Sequence, residues 1–234
     1  MDKQRIRDRI WDELDESGTA RFPFPPHNRI PNFAGADEAA ARLADHPEWQ
    51  AATTIKANPD APQRFVRRRA LREGKTVYMA VPRLRDEECF IELDPDRIED
   101  LDRASTIAGS AELGRQVGPD AVGEIDLIVS GSVAVNEDGA RIGKGEGYSD
   151  LEYAILRELG LVDADTPVVT TVHELQVVAD EWPVDEHDVS MDLLVTPERV
   201  IQPAGNDDKP TGIRWDELSD ERIAELPVLS RLRD

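Results

Sequence analysis

The chain contains a single cysteine, Cys89, in 234 residues. That excludes an internal disulfide and any metal site built from several thiolates. Aromatic residues make up only 5% of the sequence, and no apolar run reaches the length of a membrane span. Charge begins at Asp2, so the N-terminus does not read as a secretory signal, and a soluble, cytoplasmic protein is expected. Lysine is also scarce: Lys3, Lys56, Lys75, Lys144 and Lys209 are the only lysines among 28 basic residues. Against them stand 49 Asp and Glu, giving a formal net charge of −21. Such a field repels nucleic acid and anionic membrane surfaces, which leaves a small molecule as the expected partner. Abundant carboxylates with few lysines fit a halophilic protein working in molar salt, where the Debye length is about 3 Å, with an ordinary acidic cytosolic protein as the alternative.

What is present is an alternation of helical and strand patterns. Ile6, Ile10, Trp11 and Leu14 repeat at helical spacing over Asp2 to Glu16, and Gly18 ends that helix. A proline-stiffened stretch, Phe22-Pro23-Phe24-Pro25-Pro26, follows, and Ala36 to Ala44 reads as a second helix. Strands are expected at Ala52 to Ala57, Thr76 to Val81, Ile125 to Val135, Val168 to His173 and Leu193 to Ile201. Helices are expected at Gln63 to Arg72, Leu151 to Leu159 and Asp216 to Leu226. This order argues for an α/β protein, a mostly parallel sheet covered by helices on both faces in three α/β/α layers. One domain is expected over 1–234, with a helical N-terminal arm (1–50), an α/β core (51–201) and a C-terminal extension (202–234).

The segment Asp138-Gly139-Ala140-Arg141-Ile142-Gly143-Lys144-Gly145-Glu146-Gly147-Tyr148-Ser149-Asp150 carries most of the chemistry. Gly143, Gly145 and Gly147, at every second position, let backbone N–H groups approach a bound anion closely. Arg141 and Lys144 add two cations, and the following helix turns its positive end to the same place. The pattern reads as a phosphate cradle, with a hairpin-like loop as its plain structural counterpart. It is neither a P-loop, because Lys144 is followed by Gly145, nor the dinucleotide fingerprint, because the glycine spacing differs. Ser149-Asp150 reads either as a purely structural helix cap or, beside such a cradle, as the place where Asp150 would hold Mg²⁺.

Other segments are read more plainly. His173-Glu174-Leu175-Gln176-Val177 lacks the second histidine of a zinc-protease helix and reads as a strand end. Glu186-His187-Asp188 reads as a turn before a strand, with a His–Asp dyad as the alternative. Asn58 to Gln63 reads as a proline-framed turn. Arg67-Arg68-Arg69 lies on a helix, with Arg67 and Arg68 expected to face solvent or surface carboxylates.

On these residues the chain resembles the 5-formyltetrahydrofolate cyclo-ligase family, also called methenyltetrahydrofolate synthetase. Gly139, Arg141, Ile142, Gly143, Gly145, Gly147, Tyr148 and Asp150 match its glycine-loop pattern, Lys3 and Arg7 match an N-terminal Lys/Arg pair four apart, and Pro183, His187 and Asp188 match a later segment. Arg29 to Phe33, Lys56 to Gln63, Pro82 to Arg85, Gly131 to Val135 and Lys209 to Ile213 look like the methenyltetrahydrofolate synthetase domain-containing branch. The resemblance implies a Rossmann-like, cyclo-ligase fold related to the NagB, RpiA and CoA-transferase proteins, in a monomer or small homo-oligomer. It implies ATP and Mg²⁺ as cofactors. Lys3, Arg7, Gly143, Gly145, Gly147 and Tyr148 would bind ATP, Arg141 and Lys144 would be catalytic, and Asp150 and Asp188 would hold the metal.

Two departures matter. The family's folate-holding Glu, expected after the first core strand, is absent from Ala57 to Gln63, and Ser149 replaces a second loop tyrosine. The resemblance as a whole still implies cyclo-ligase activity on 5-formyltetrahydrofolate. The alternatives are an ATP-dependent reaction on another formyl- or amide-bearing heterocycle, for example in thiamine-related metabolism, or nucleotide binding without catalysis.

Overall fold

The β-branched runs form strands buried on both faces, as a parallel sheet between helices requires. A computed structural model of the chain describes residues 2–204 and 209–233. Residues 205–208 and 234 of the expected C-terminal extension lie outside the described residues. In chain order, α1 (Lys3–Glu16) leads to a two-residue pair, β1 (Ala20–Arg21) and β2 (Asn32–Phe33), then α2 (Ala36–Ala44) and α3 (Pro47–Ala51). The core begins with β3 (Thr54–Ala57), α4 (Gln63–Arg72) and β4 (Thr76–Ala80), followed by β5 (Phe90–Leu93), α5 (Leu101–Ala104), α6 (Ile107–Leu113) and β6 (Arg115–Val117). Next come β7 (Leu127–Ser130), the hairpin β8 (Ala134–Val135) and β9 (Arg141–Ile142), and α7 (Tyr148–Glu158). The chain closes with β10 (Val168–Thr171), β11 (Leu193–Val195), β12 (Val200–Ile201), α8 (Asp220–Glu225) and α9 (Pro227–Arg233).

Eight strands form one sheet in the order β12-β11-β10-β7-β3-β4-β5-β6. The central β11, β10, β7, β3 and β4 are parallel, β12 at one edge and β5 toward the other run opposite to them, and β6 pairs antiparallel with β5. The three-layer α/β expectation thus describes the core, with antiparallel strands added at both edges. Crossovers through α4 and α7 run in opposite directions from the middle of the sheet. Right-handed connections therefore place these helices on opposite faces.

Three expected elements divide differently. The run Ile125 to Val135 is two strands, because the chain leaves the sheet after Ser130 and enters the β8–β9 hairpin. Leu193 to Ile201 is also two, β11 turning antiparallel into β12. Asp216 to Leu226 breaks into a 3₁₀ turn, Trp215–Glu217, and α8, whose N-terminus is capped by the Ser219 side chain accepting from the Arg222 N–H. The hairpin is also where α1 packs. Ile6, Ile10, Trp11 and Leu14 form a second buried cluster with Val133, Ala134, Ala140 and Ile142, so the first helix is fixed beside the glycine loop.

Candidate active site

The sheet's direction of winding reverses between β3 and β7, and ligands of open α/β sheets bind outside the carboxyl ends of strands at such a point. There the Asn58 N–H, just past β3, donates to the Val129 carbonyl of β7 at 3.2 Å. A cleft of about 540 Å³ opens above this junction. All ten site residues expected from the sequence line it.

Its rim is built by the hairpin, the glycine loop and α1. Asp138-Gly139 forms the hairpin turn between β8 and β9, with Gly139 at φ +94°. The glycine loop itself runs from Gly143 to Gly147. Gly145 has φ +102°, and a Cβ there would sit 3.4 Å from the Arg7 Cζ, so glycine lets loop and guanidinium lie close together. Arg7 also donates through Nε to the Gly143 carbonyl at 2.7 Å, and its partial burial lowers its pKa. Gly147, also left-handed, precedes α7 and brings that helix's N-terminus to the cleft. Lys144 pairs with Glu146 at 2.9 Å on the exposed side. Tyr148 is held by Arg222, which donates to its hydroxyl at 3.1 Å and lies 4.7 Å from its ring centre.

Arg141 and Asp150 form a single unit. The Arg141 Nη2 donates to both Asp150 carboxylate oxygens at 2.7 Å, and Nη1 donates to the Gly131 carbonyl at 2.9 Å. The Val189 N–H also donates to Asp150 at 3.2 Å. Arg141 therefore faces the cleft already clamped, with Nε buried and unpartnered. Lys3 donates to Asp188 at 2.7 Å and to Asp185 at 3.3 Å. Burial works against its charge, but these two carboxylates raise its pKa. Oxygen and nitrogen donors of Asp185, His187 and Asp188 lie within 4.8 Å of one another.

The floor holds groups that the motif reading passed over. Lys56 of β3, 1% exposed, pairs with Glu152 of α7 and donates to the Asn58 side-chain oxygen at 2.9 Å. Asn58 in turn donates to Ser149 at 3.3 Å, tying the turn after β3 to the start of α7. Arg67 corrects the expectation of a solvated arginine run. It is 0% exposed, donates through Nε to the Ser105 carbonyl at 3.0 Å, and through Nη1 to the Asn58 and Asp60 carbonyls. Burial lowers its pKa to about 10. Its place on the inner stripe of α4 with Gln63, Val66, Ala70 and Leu71 is the signal that could have revealed it. Asp60 faces the same floor. Burial raises its carboxyl to about 6, Glu152 adding to the rise and Lys144, Arg67 and Lys56 opposing it. Gly131 must be glycine here: a Cβ would come within 2.7 Å of an Asp60 carboxylate oxygen.

The chain resembles known proteins throughout its length. It is 45% identical over 238 residues to the mouse methenyltetrahydrofolate synthase domain-containing protein, covering 100% of this chain and 64% of that relative. A stretch of 98 residues, 39% of this chain and 47% of the relative, is 34% identical to the 5-formyltetrahydrofolate cyclo-ligase of Mycolicibacterium smegmatis. The NMR structure of the Aquifex aeolicus 5,10-methenyltetrahydrofolate synthetase shares the fold, with a TM-score of 0.55 at 18% identity over 93% of this chain and 100% of that one. Residues 1–197 match the 5-formyltetrahydrofolate cyclo-ligase family, and the chain belongs to that family.

Proposed function

We propose that the protein is an ATP-dependent 5-formyltetrahydrofolate cyclo-ligase, forming 5,10-methenyltetrahydrofolate with release of ADP and phosphate. The observation that carries this reading is the convergence of the Gly143–Gly147 loop, Lys3, Arg7 and Lys144 on one cleft at the sheet's switch point. Backbone N–H groups and cations around one space suit a triphosphate. The reaction asks the protein to orient two substrates and to neutralise charge on a transferred phosphoryl group. Lys3 and Arg7 would hold phosphates from α1, and Lys144 would leave Glu146 for a phosphate oxygen. Arg141, fixed by Asp150 and the Gly131 carbonyl, would present its remaining N–H edge to the transferred group. Tyr148, braced by Arg222, would border the nucleotide.

The hard oxygen donors beside this cradle fit Mg²⁺. When bound, the ion would offset charge on the phosphates, and Asp188, with Asp185 and His187 beside it, would hold it. Asp150 gives both oxygens to Arg141, so it would act first as the support of that guanidinium.

The absence of the family's folate-holding Glu supports a second reading, the same ATP chemistry on a different formyl- or amide-bearing heterocycle. Purified protein in molar KCl with Mg²⁺, ATP and 5-formyltetrahydrofolate, followed by the ultraviolet absorbance of the methenyl product, separates the two. Turnover is expected, with Arg141→Ala lowering kcat by roughly 10²–10³-fold, the usual cost of one transition-state donor. ATP binding without methenyl product would favour the second heterocycle.

A further inference from the structure

Among the described residues five carboxylates line the cleft, and four of them are already paired with a cation. Glu146 has Lys144, Asp150 has Arg141, Glu152 has Lys56 and Asp188 has Lys3. His187, the one imidazole in the lining, is engaged with Glu217 at 3.1 Å. Asp60 is the exception. Its carboxylate makes no hydrogen bond or ion pair to another described residue, yet it is held in position. Its own carbonyl accepts from the buried Arg67 at 3.1 Å, prolines bracket it at 59 and 62, and the bare Cα of Gly131 leaves space for one of its oxygens.

We infer that Asp60 is the proton acceptor of the ring-closing step, a role that rests on the cyclo-ligase reading above. In that step the N10 lone pair of the reduced folate forms a bond to the phosphorylated formyl carbon. The N10 proton passes to the Asp60 carboxylate, the carbon–oxygen bond to phosphate breaks, and the methenyl bridge closes between N5 and N10. Asp60 then returns the proton to water through the open cleft. Asp150 and Glu152 are unsuited because each would first have to abandon a buried cation, and Glu146 and Asp188 stand with Lys144 and Lys3 among the groups assigned to the phosphates. Lys56, Arg67, Lys144 and Glu152 are the charged groups that face Asp60, and their opposing effects leave its carboxyl at about 6. A base in that range is ionised at neutral pH and still strong enough to take a proton.

The test compares wild type with Asp60→Asn, measuring kcat and KM for 5-formyltetrahydrofolate between pH 5 and 8.5 at saturating ATP. Wild-type kcat/KM should fall with unit slope below about pH 6, as the carboxyl protonates. Asp60→Asn should lose roughly 10²–10⁴-fold in kcat and lose that acidic limb, while ATP affinity by titration calorimetry stays within twofold. Gly131→Ala supplies a second variant that keeps the carboxylate but displaces it, and should lower kcat in the same direction. Formate added to Asp60→Ala should restore part of the rate, which a purely structural role would not allow. Wild-type turnover with an unchanged Asp60→Asn profile overturns this assignment alone. A wild-type protein that makes no methenyl product overturns the cyclo-ligase reading and the assignment with it.

Discussion

The two walls of the cleft treat charge in opposite ways. On the rim, Lys144 and Glu146 are 38% and 42% exposed and meet in water, where an ion pair contributes about 0–1 kcal/mol. On the floor, the side chains of Lys56 and Glu152 are 2% and 7% exposed, and Arg67 is sealed from solvent. A buried pair gains little over an apolar one, but breaking it leaves an uncompensated charge. On the proposed reading the rim would exchange its partners for a ligand's phosphates at small cost, while the floor could not rearrange. The floor fixes the ends of β3 and α7, and the rim is free to respond.

The largest effect should come from breaking the floor. Glu152→Ala would strand Lys56 beside Asn58, and urea denaturation should show a loss of about 3–5 kcal/mol. The double replacement Lys56→Met with Glu152→Leu should recover most of that loss, because it removes both charges together. Equal stability of the single and double variants would sink the contrast between the two walls.

How much of this was legible beforehand differs between the same two regions. The rim announced itself locally: three glycines, two cations and a helix start lie within one short stretch, and Ile6, Ile10, Trp11 and Leu14 declared α1 by their spacing. What the stretch could not reveal is that Arg141 turns toward Asp150 and the Gly131 carbonyl, or that Asp138-Gly139 closes a hairpin, since both depend on where the chain folds back. The floor is non-local throughout. Lys56 lies 96 positions from Glu152, so no motif joins them. A signal did exist, because a lysine inside Thr-Ile-Lys-Ala, a strand buried on both faces, must have a buried partner. The antiparallel edge was hidden for a different reason. β6 is Arg-Gln-Val with two exposed residues, an edge strand without the apolar run that marks the core strands.

An intermediate effect should appear where the rim touches its support. Gly145 has φ +102°, a region L-residues rarely occupy, and its Cα faces the Arg7 guanidinium. Gly145→Ala should cost about 1–3 kcal/mol in stability, the usual range for such backbone strain. It should also weaken ATP binding, since the loop must shift to relieve the strain. Calorimetric titration alongside thermal melting separates the two effects. A variant with wild-type ATP affinity would show that Gly145 is there for backbone conformation alone.

The smallest effect is the most discriminating. Lys144→Ala removes an exposed pair and should leave stability within about 0.5 kcal/mol of wild type. ATP affinity should nevertheless fall, and fall less as KCl rises, because a solvent-exposed attraction is screened over about 10 Å at 0.1 M and about 3 Å at 1 M. Glu146→Gln should act in reverse. It frees Lys144 from its only ion-pair partner among the described residues and removes a negative charge from the cradle, so ATP should bind a few-fold more tightly at low salt, an effect of about 1 kcal/mol or less. Stability that stays flat while affinity moves in opposite directions is what a responsive rim requires. If Lys144→Ala instead destabilised the fold as much as Glu152→Ala, the rim would be part of the scaffold and the two walls would not differ in kind.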